Sequence, residues 1–321
     1  MSLSKALLLF YGLHRQVFNL SVSLYGCTAL CYFTNTAVRF LKFCFNSVLL
    51  VPFYLSYVLT FIIFHPVLWL SFKFKILDGQ YLTNFLCWAQ RAVLFLFTGC
   101  YTRSLDLSKR DQLRYDLPTV IVSNHQSSFD IANIVNFFHP QKVHFVAKIE
   151  LSRFVPSVSL LLREFNGIII NRKDSQQALA SIKQFKEKFK QGAWVAIFPE
   201  GTRSKTGSLG KLKKRGLLEL LGGTHNFQII TVVFTKNFFF GNPRFFPFFR
   251  KSNMAVLSAK TVSINSDAEL DSLIQRIFQE VEDFIRVRVN RKHEVAKLSN
   301  RNKFIEKICF CVDYCRSKNR Y

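Results

Sequence analysis

The sequence predicts an α/β protein, a largely parallel sheet flanked by helices, joined to N-terminal membrane helices. Three observations predict it. Between Leu117 and Ile264, short β-branched runs alternate with helical runs, as when crossover helices cover strands buried on both faces. Near the N-terminus, two long stretches contain no Lys, Arg, Asp or Glu. The formal net charge is +24, although 49% of the 321 residues are hydrophobic. Positive charge beside so much apolar surface suits a phospholipid surface. Nucleic acid is the competing anion, but metal-finger spacing, paired aromatic strands and a heptad-backed basic helix are missing from the sequence.

Gln16 to Val38 is the first uncharged stretch, bracketed by Arg15 and Arg39. Asn19, Ser21, Ser23, Thr28, Thr34 and Asn35 dilute it, so a span, an interfacial helix and half of a hairpin all fit. Phe43 to Phe72 is the second, flanked by Lys42 and by Lys73 and Lys75. It exceeds the ~20 residues that cross a bilayer's hydrocarbon core. Pro52 and Pro66 predict a kink, or a broken, re-entrant helix. Thr83 to Phe97, interrupted by Gln90 and Arg91, reads as an amphipathic interfacial helix. Charge rises from Arg103 to Arg114, where the α/β domain is expected to begin. The expected organisation is 1–102 for membrane anchoring, 103–265 for the α/β domain, and 266–321 for an amphipathic helix and basic tail.

Within the domain, strands are expected at Thr119–Ser123, Val143–Ala147, Gly167–Ile170, Trp194–Phe198, Ile229–Phe234 and Met254–Ile264. Helices are expected at Ile131–Phe138, at Ser175–Phe189 with Asp174 or Ser175 as cap, and at Gly216–Leu221. A longer one, capped by Asp267, carries Leu270, Leu273, Ile274, Ile277, Val281 and Ile285 on one face. The eight cysteines match no zinc spacing and read as free thiols of a reducing compartment. No metal-ligand set is read.

Two clusters of reactive residues follow strands. Asn124-His125-Gln126-Ser127-Ser128-Phe129-Asp130 ends the first strand and opens the next helix. A turn of that length can return the Asp130 carboxylate to the His125 imidazole, leaving the other ring nitrogen to act as a general base. A capping aspartate beside an unrelated loop histidine is the plainer alternative. Phe198-Pro199-Glu200-Gly201-Thr202-Arg203-Ser204 follows a second strand. Gly201 permits close backbone approach, Thr202 and Ser204 offer hydroxyls, and Arg203 presents a fork suited to phosphate. A basic run follows, with Lys205, Lys211 and Lys213 read as general attraction, and Arg172 is a candidate for the same phosphate site. A solvated basic loop is the bland alternative. The segment Phe238–Lys251 fits either core packing or a wedge into headgroups, and Arg286–Tyr321 reads as a solvated or lipid-facing tail.

In this order, with about seventy residues between them, the two motifs resemble those of the glycerolipid acyltransferase family. The wording is most similar to its 1-acyl-glycerol-3-phosphate acyltransferase subgroup. The resemblance covers roughly Leu117 to Ile264. Lys148, Glu150, Leu151 and Pro156 are similar to the family's linking block, and Gly167–Arg172 and Ile229–Val233 to two further motifs. Asn171 stands where aspartate is usual and Thr231 where proline is usual.

The resemblance implies direct acyl transfer from acyl-CoA or acyl carrier protein to the free hydroxyl of 1-acyl-glycerol-3-phosphate, giving phosphatidic acid. His125 and Asp130 would be catalytic. Arg172, Glu200, Gly201, Thr202 and Arg203 would bind or organise the phosphate, Glu200 by placing Arg203 or a backbone amide. No cofactor beyond the thioester co-substrate is expected, and no Gly-x-Ser-x-Gly elbow supplies an acyl-enzyme nucleophile. Expected partners are membrane phospholipids and the acyl donor. The expected place is a membrane with the catalytic face cytoplasmic, the inner membrane of a bacterium or the endoplasmic reticulum of a eukaryote. Acylation of another lysophospholipid or of glycerol-3-phosphate, hydrolysis by the same His–Asp pair, and a non-catalytic lipid-binding role are the alternatives.

Overall fold

The computed structural model describes residues 48, 51–105, 112–165, 167–171, 173–241 and 251–287. The first uncharged stretch, Arg172, the Phe245–Arg250 cluster and most of the basic tail lie outside them. Met1–Pro52 and Phe53–Tyr321 form two compact units, and the sheet belongs to the second.

Helix α1 (Val51–Phe74) is continuous through Pro66, so the break expected there does not form. At about 1.5 Å per residue it exceeds a ~30 Å hydrocarbon core. Among the described residues it alone is long and apolar enough to cross a membrane. Leu55, Ile62, Ile63 and Leu70 remain exposed, while Phe53 and Leu68 are buried. Helix α2 (Gly79–Thr98) starts four residues before the expected Thr83 because Asp78 Oδ1 accepts from Gln80 N at 2.8 Å. Gly99, at φ 64°, closes it in the left-handed conformation. Leu82, Leu86 and Leu94 face inward, whereas Tyr81, Phe85, Trp88 and Phe95 face out, which is the division an interfacial helix needs.

The remaining elements are β1 (Tyr101–Leu105), β2 (Thr119–Ser123), α3 (Phe129–Phe138), β3 (Val143–Lys148), α4 (Leu151–Phe154), α5 (Pro156–Glu164), β4 (Ile168–Ile170), α6 (Ser175–Lys190), β5 (Trp194–Ile197), α7 (Arg215–Leu221), β6 (Asn226–Thr235), a 3-10 turn (Asn237–Gly241), β7 (Lys251–Ser263) and α8 (267–287). The strands form one sheet in the order β1-β7-β6-β2-β5-β3-β4. Among the described residues, β6 and β7 alone pair antiparallel. β1 was not read as a strand because its Arg103 and polar neighbours mark an edge, not a buried run.

Alternation along the central strands assigns two cores. Val120, Val122, Val195 and Ile197 pack with α6, α7 and α8 on one face. Ile121, Trp194 and Ala196 pack with Ile134, Phe137 and Phe138 of α3 on the other. Asp174 caps α6, as expected, by accepting from Gln176 N and Gln177 N at 3.0 Å. Ser266, not Asp267, caps α8. Its hydroxyl accepts from Glu269 N at 3.3 Å, while Glu269 Oε2 accepts from Asn265 N at 3.0 Å, nearly a capping box.

The two residues that depart from the resembled motifs each make a local hydrogen bond. Asn171 Oδ1 accepts from Lys173 N at 3.1 Å, a bond an aspartate would make equally well. The register of β6 on β7 shifts between Thr231 and Val232, and the Thr231 hydroxyl hydrogen-bonds that of Ser258 at 3.1 Å.

His144 of β3 supplies a pH-dependent weakness. It is buried, its ring lies 5.0 Å from that of Phe185, and its pKa is lowered to about 4, by burial first and then by Lys188 and Lys142. The unfolded chain therefore takes up a proton near pH 6.5 that the folded chain refuses until about pH 4. The resulting stability is complete above pH 6.5 and drains away as pH falls through that window. Thermal unfolding at pH 7.5 and pH 5 should show a smaller loss of Tm in His144→Phe than in the wild type.

Candidate active site

The site follows from strand register. β2 lies between β5 and β6, with Val122 opposite Ile197 and Ser123 opposite Val232. His125 and Glu200 each stand three residues beyond the Val122–Ile197 pair, so both motifs leave the sheet side by side. This is the carboxyl end of the parallel strands, where open α/β sheets place their ligands.

Asp130, in the first turn of α3, is completely buried. Its Oδ2 meets His125 Nδ1 at 2.9 Å and accepts from Gln126 N at 2.6 Å and Ser127 N at 2.8 Å. An oxygen receiving two backbone N–H groups acts as a carboxylate acceptor, so His125 Nδ1 carries the proton and Nε2 keeps its lone pair. The imidazole stacks on Phe198, with centroids 4.1 Å apart and planes at 18°.

The flanking motif residues hold this turn. Asn124 forms a two-pronged clamp on Phe234 of β6, Nδ2 to the carbonyl at 2.9 Å and Oδ1 from the N–H at 2.7 Å. Gln126 Nε2 donates to Gly207 O at 3.2 Å.

Glu200 joins the two motifs. Oε1 accepts from His125 N at 2.7 Å, and Oε2 accepts from Gly210 N at 2.8 Å. Of the two roles expected for it, contact with a backbone amide is the one seen, twice over. Burial, and to a lesser degree the Asp130 carboxylate, raises its pKa, while the two backbone N–H bonds pull the other way. Ser204 N donates to His125 O at 2.8 Å, so both backbone polar groups of His125 are fixed by the second motif.

Thr202 and Arg203 project exposed from this loop, and Gly201 turns it at φ 68°. A methyl group on Gly201 would lie 3.5 Å from Lys213 Nζ. Lys213 N also donates to Pro199 O at 3.0 Å. Lys213, read from sequence as general attraction, thus stands beside Gly201, and only its place in a basic run hinted at this. Tyr57 of α1 is a second residue missed, because it sits within an apolar stretch. It hydrogen-bonds Ser128, and its ring lies 5.3 Å from that of Phe129. The apolar helix is therefore packed directly on the histidine loop.

An oriented imidazole beside a basic loop, at the carboxyl end of a sheet, suits proton removal from a hydroxyl on an anionic molecule. Residues 104–235 match the model of the Acyltransferase family. Over 100 residues, 31% of this chain and 38% of the relative, the sequence is 41% identical to a 1-acyl-sn-glycerol-3-phosphate acyltransferase of Pseudomonas aeruginosa. It is 34% identical over 117 residues, 36% of this chain and 41% of the relative, to the human 1-acyl-sn-glycerol-3-phosphate acyltransferase beta. The chain spans 27–41% of the length of the curated relatives it matches. The crystal structure of the 1-acyl-sn-glycerophosphate acyltransferase PlsC of Thermotoga maritima has the same fold, with TM-score 0.57 and 22% identity, over 75% of this chain and 95% of that one.

Proposed function

We propose that this chain transfers a fatty acyl group from a thioester, acyl-CoA or acyl carrier protein, to the free hydroxyl of 1-acyl-glycerol-3-phosphate, yielding phosphatidic acid. The observation that carries the reading is the adjacency of the His125–Asp130 pair to the Gly201–Arg203 loop, both tied together by Glu200. His125 Nε2 takes the hydroxyl proton while Asp130 stabilises the imidazolium. The oxygen attacks the thioester carbonyl, the tetrahedral adduct collapses, and the departing thiolate recovers the proton from His125.

The exposed Arg203 fork and the Lys213 ammonium receive the phosphate. A phosphomonoester carries more charge than a diester, which favours lysophosphatidate over other lysophospholipids. Arg172 is proposed as a third contact. Lipid substrates partition into the bilayer, and the exposed apolar faces of α1 and α2 keep the site beside them, on the cytoplasmic side where the thioester is available.

Membranes containing the full chain should convert labelled acyl-CoA and lysophosphatidic acid to labelled phosphatidic acid. Acylation of lysophosphatidylethanolamine or glycerol-3-phosphate instead would keep the chemistry and replace the acceptor. Silence with every acceptor and thioester, in membranes holding folded protein, would overturn the reading. Arg203→Ala should raise the acceptor KM about tenfold, the worth of one charge-assisted bidentate contact, with a smaller change in kcat. Equal KM in the variant and the wild type would remove Arg203 from the phosphate site.

A further inference from the structure

The hydrogen bonds around Asp130 continue past the histidine. Beyond β6, Lys236 adopts a left-handed backbone, φ 67°, unusual for a residue with a side chain. That turn delivers Asn237, fully buried, against the back of the site. Asn237 Nδ2 donates to Asp130 Oδ1, the oxygen His125 does not use. Its own N–H donates to Gln126 Oε1 at 2.8 Å. Its Oδ1 accepts from Ser252 Oγ at 3.0 Å and lies 3.4 Å from Thr102 Oγ1. Thr102 and Ser252 are register partners on β1 and β7, their hydroxyls 2.7 Å apart, and Asn133 Nδ2 donates to Thr102 Oγ1 at 3.1 Å.

Counting hydrogens orients this chain. The Asp130 carboxylate only accepts, so Asn237 must turn its amide N–H towards Asp130 and its carbonyl towards the hydroxyls. Asn133 gives a hydrogen to Thr102, Thr102 to Ser252, Ser252 to Asn237, and Asn237 to Asp130. All five residues are buried, so no bulk water offers a substitute for a lost donor.

We infer that Asn237 is a positioning residue that holds Asp130 from the side opposite His125 and sets the basicity of the imidazole. The inference rests on the reading of His125 as the base in acyl transfer. Without the Asn237 donor, negative charge concentrates on the carboxylate facing the imidazole. The imidazolium is then better stabilised, its pKa rises, and less free base exists at a given pH. Asp130 also gains freedom to rotate, which loosens the ring it orients. Of the other ionisable groups, Glu200 bonds the His125 backbone, Lys213 stands beside Gly201, and Tyr57 of α1, which senses the charge of Arg203, reaches the loop through Ser128. All of them stay in place in an Asn237 variant. So does the backbone bond to Gln126.

The test uses the full chain, comparing the wild type with Asn237→Ala. Two readouts are needed: acyl transfer to lysophosphatidic acid across pH, and the titration of His125 by NMR of labelled histidine, assigned with His125→Ala. Expected for Asn237→Ala is a kcat lower by about 10- to 100-fold, the range for one hydrogen bond to a charged group, with acceptor KM within about twofold. The acid limb of kcat/KM and the His125 titration should both move to higher pH. Wild-type transfer with neither of them moved in Asn237→Ala would overturn the inference. A wild type that transfers no acyl group, yet shows the shifted titration in the variant, would sink the acyl-transfer reading and leave the positioning role standing. Should Asn237→Ala fail to fold, Ser252→Ala removes the hydroxyl that orients the Asn237 carbonyl. It should move the titration the same way by less, and an unmoved titration there overturns the inference as well.

Discussion

Replacing His125 by alanine should lower kcat by about a thousandfold or more while leaving the protein folded, the loss typical of a missing general base. The geometry makes this a clean experiment. Every hydrogen bond that ties His125 to the second motif uses its backbone, N to Glu200 and O from Ser204, and alanine keeps both. The ring contributes the Asp130 contact and the stack on Phe198 and holds no strand in place. Asp130→Ala would be harder to interpret, because it strips the acceptor from His125, Gln126, Ser127 and Asn237 at a fully buried position. Each orphaned donor costs about 1–3 kcal/mol. Initial rates at saturating acyl-CoA and lysophosphatidic acid, with thermal unfolding of the same preparations, decide the matter. A variant that keeps more than a tenth of wild-type kcat would show that another group removes the proton.

The sequence made the central strands legible because a buried parallel strand admits little besides β-branched and apolar residues. Thr119–Ser123 and Trp194 onward therefore stand out against their helices. The edges were less legible. β1 carries an arginine and three hydroxyls because, among the described residues, it has only one neighbouring strand, and nothing local separates it from a charged linker. The short α4 and α5 passed unread for a similar reason, since Pro156 between them looks like punctuation.

At the site, the His–Asp pair was readable because its two members lie five residues apart on one turn. Asn237 was not, being 107 positions from Asp130 and met only through the sheet. Glu200 fell between these cases. Its motif marked it, but its partners follow from the register that sets β5 beside β2. Contacts made within a turn can be read from spacing, whereas contacts made by strand order require the fold.

Glu200→Gln should lower kcat by about 100-fold and destabilise the protein, though the substitution changes one atom and almost no volume. Both carboxylate oxygens receive a backbone N–H, from His125 and from Gly210. A glutamine supplies one acceptor and one NH₂, so either orientation sets a donor against a donor. The conflict, about 1–3 kcal/mol, is partly offset because burial already disfavours the charge on Glu200. What remains is relieved by moving either the loop or the histidine. Gly210 has little room to adjust towards the carboxylate, since a methyl group there would come within 3.0 Å of Oε2. The displacement is therefore expected at His125, where a shift near 1 Å is enough for a rate loss on the order of a hundredfold. A kcat loss without a matching rise in acceptor KM would place Glu200 with the histidine, and a KM rise alone would place it with the phosphate loop. Wild-type kcat and Tm together in Glu200→Gln would refute the bridging role.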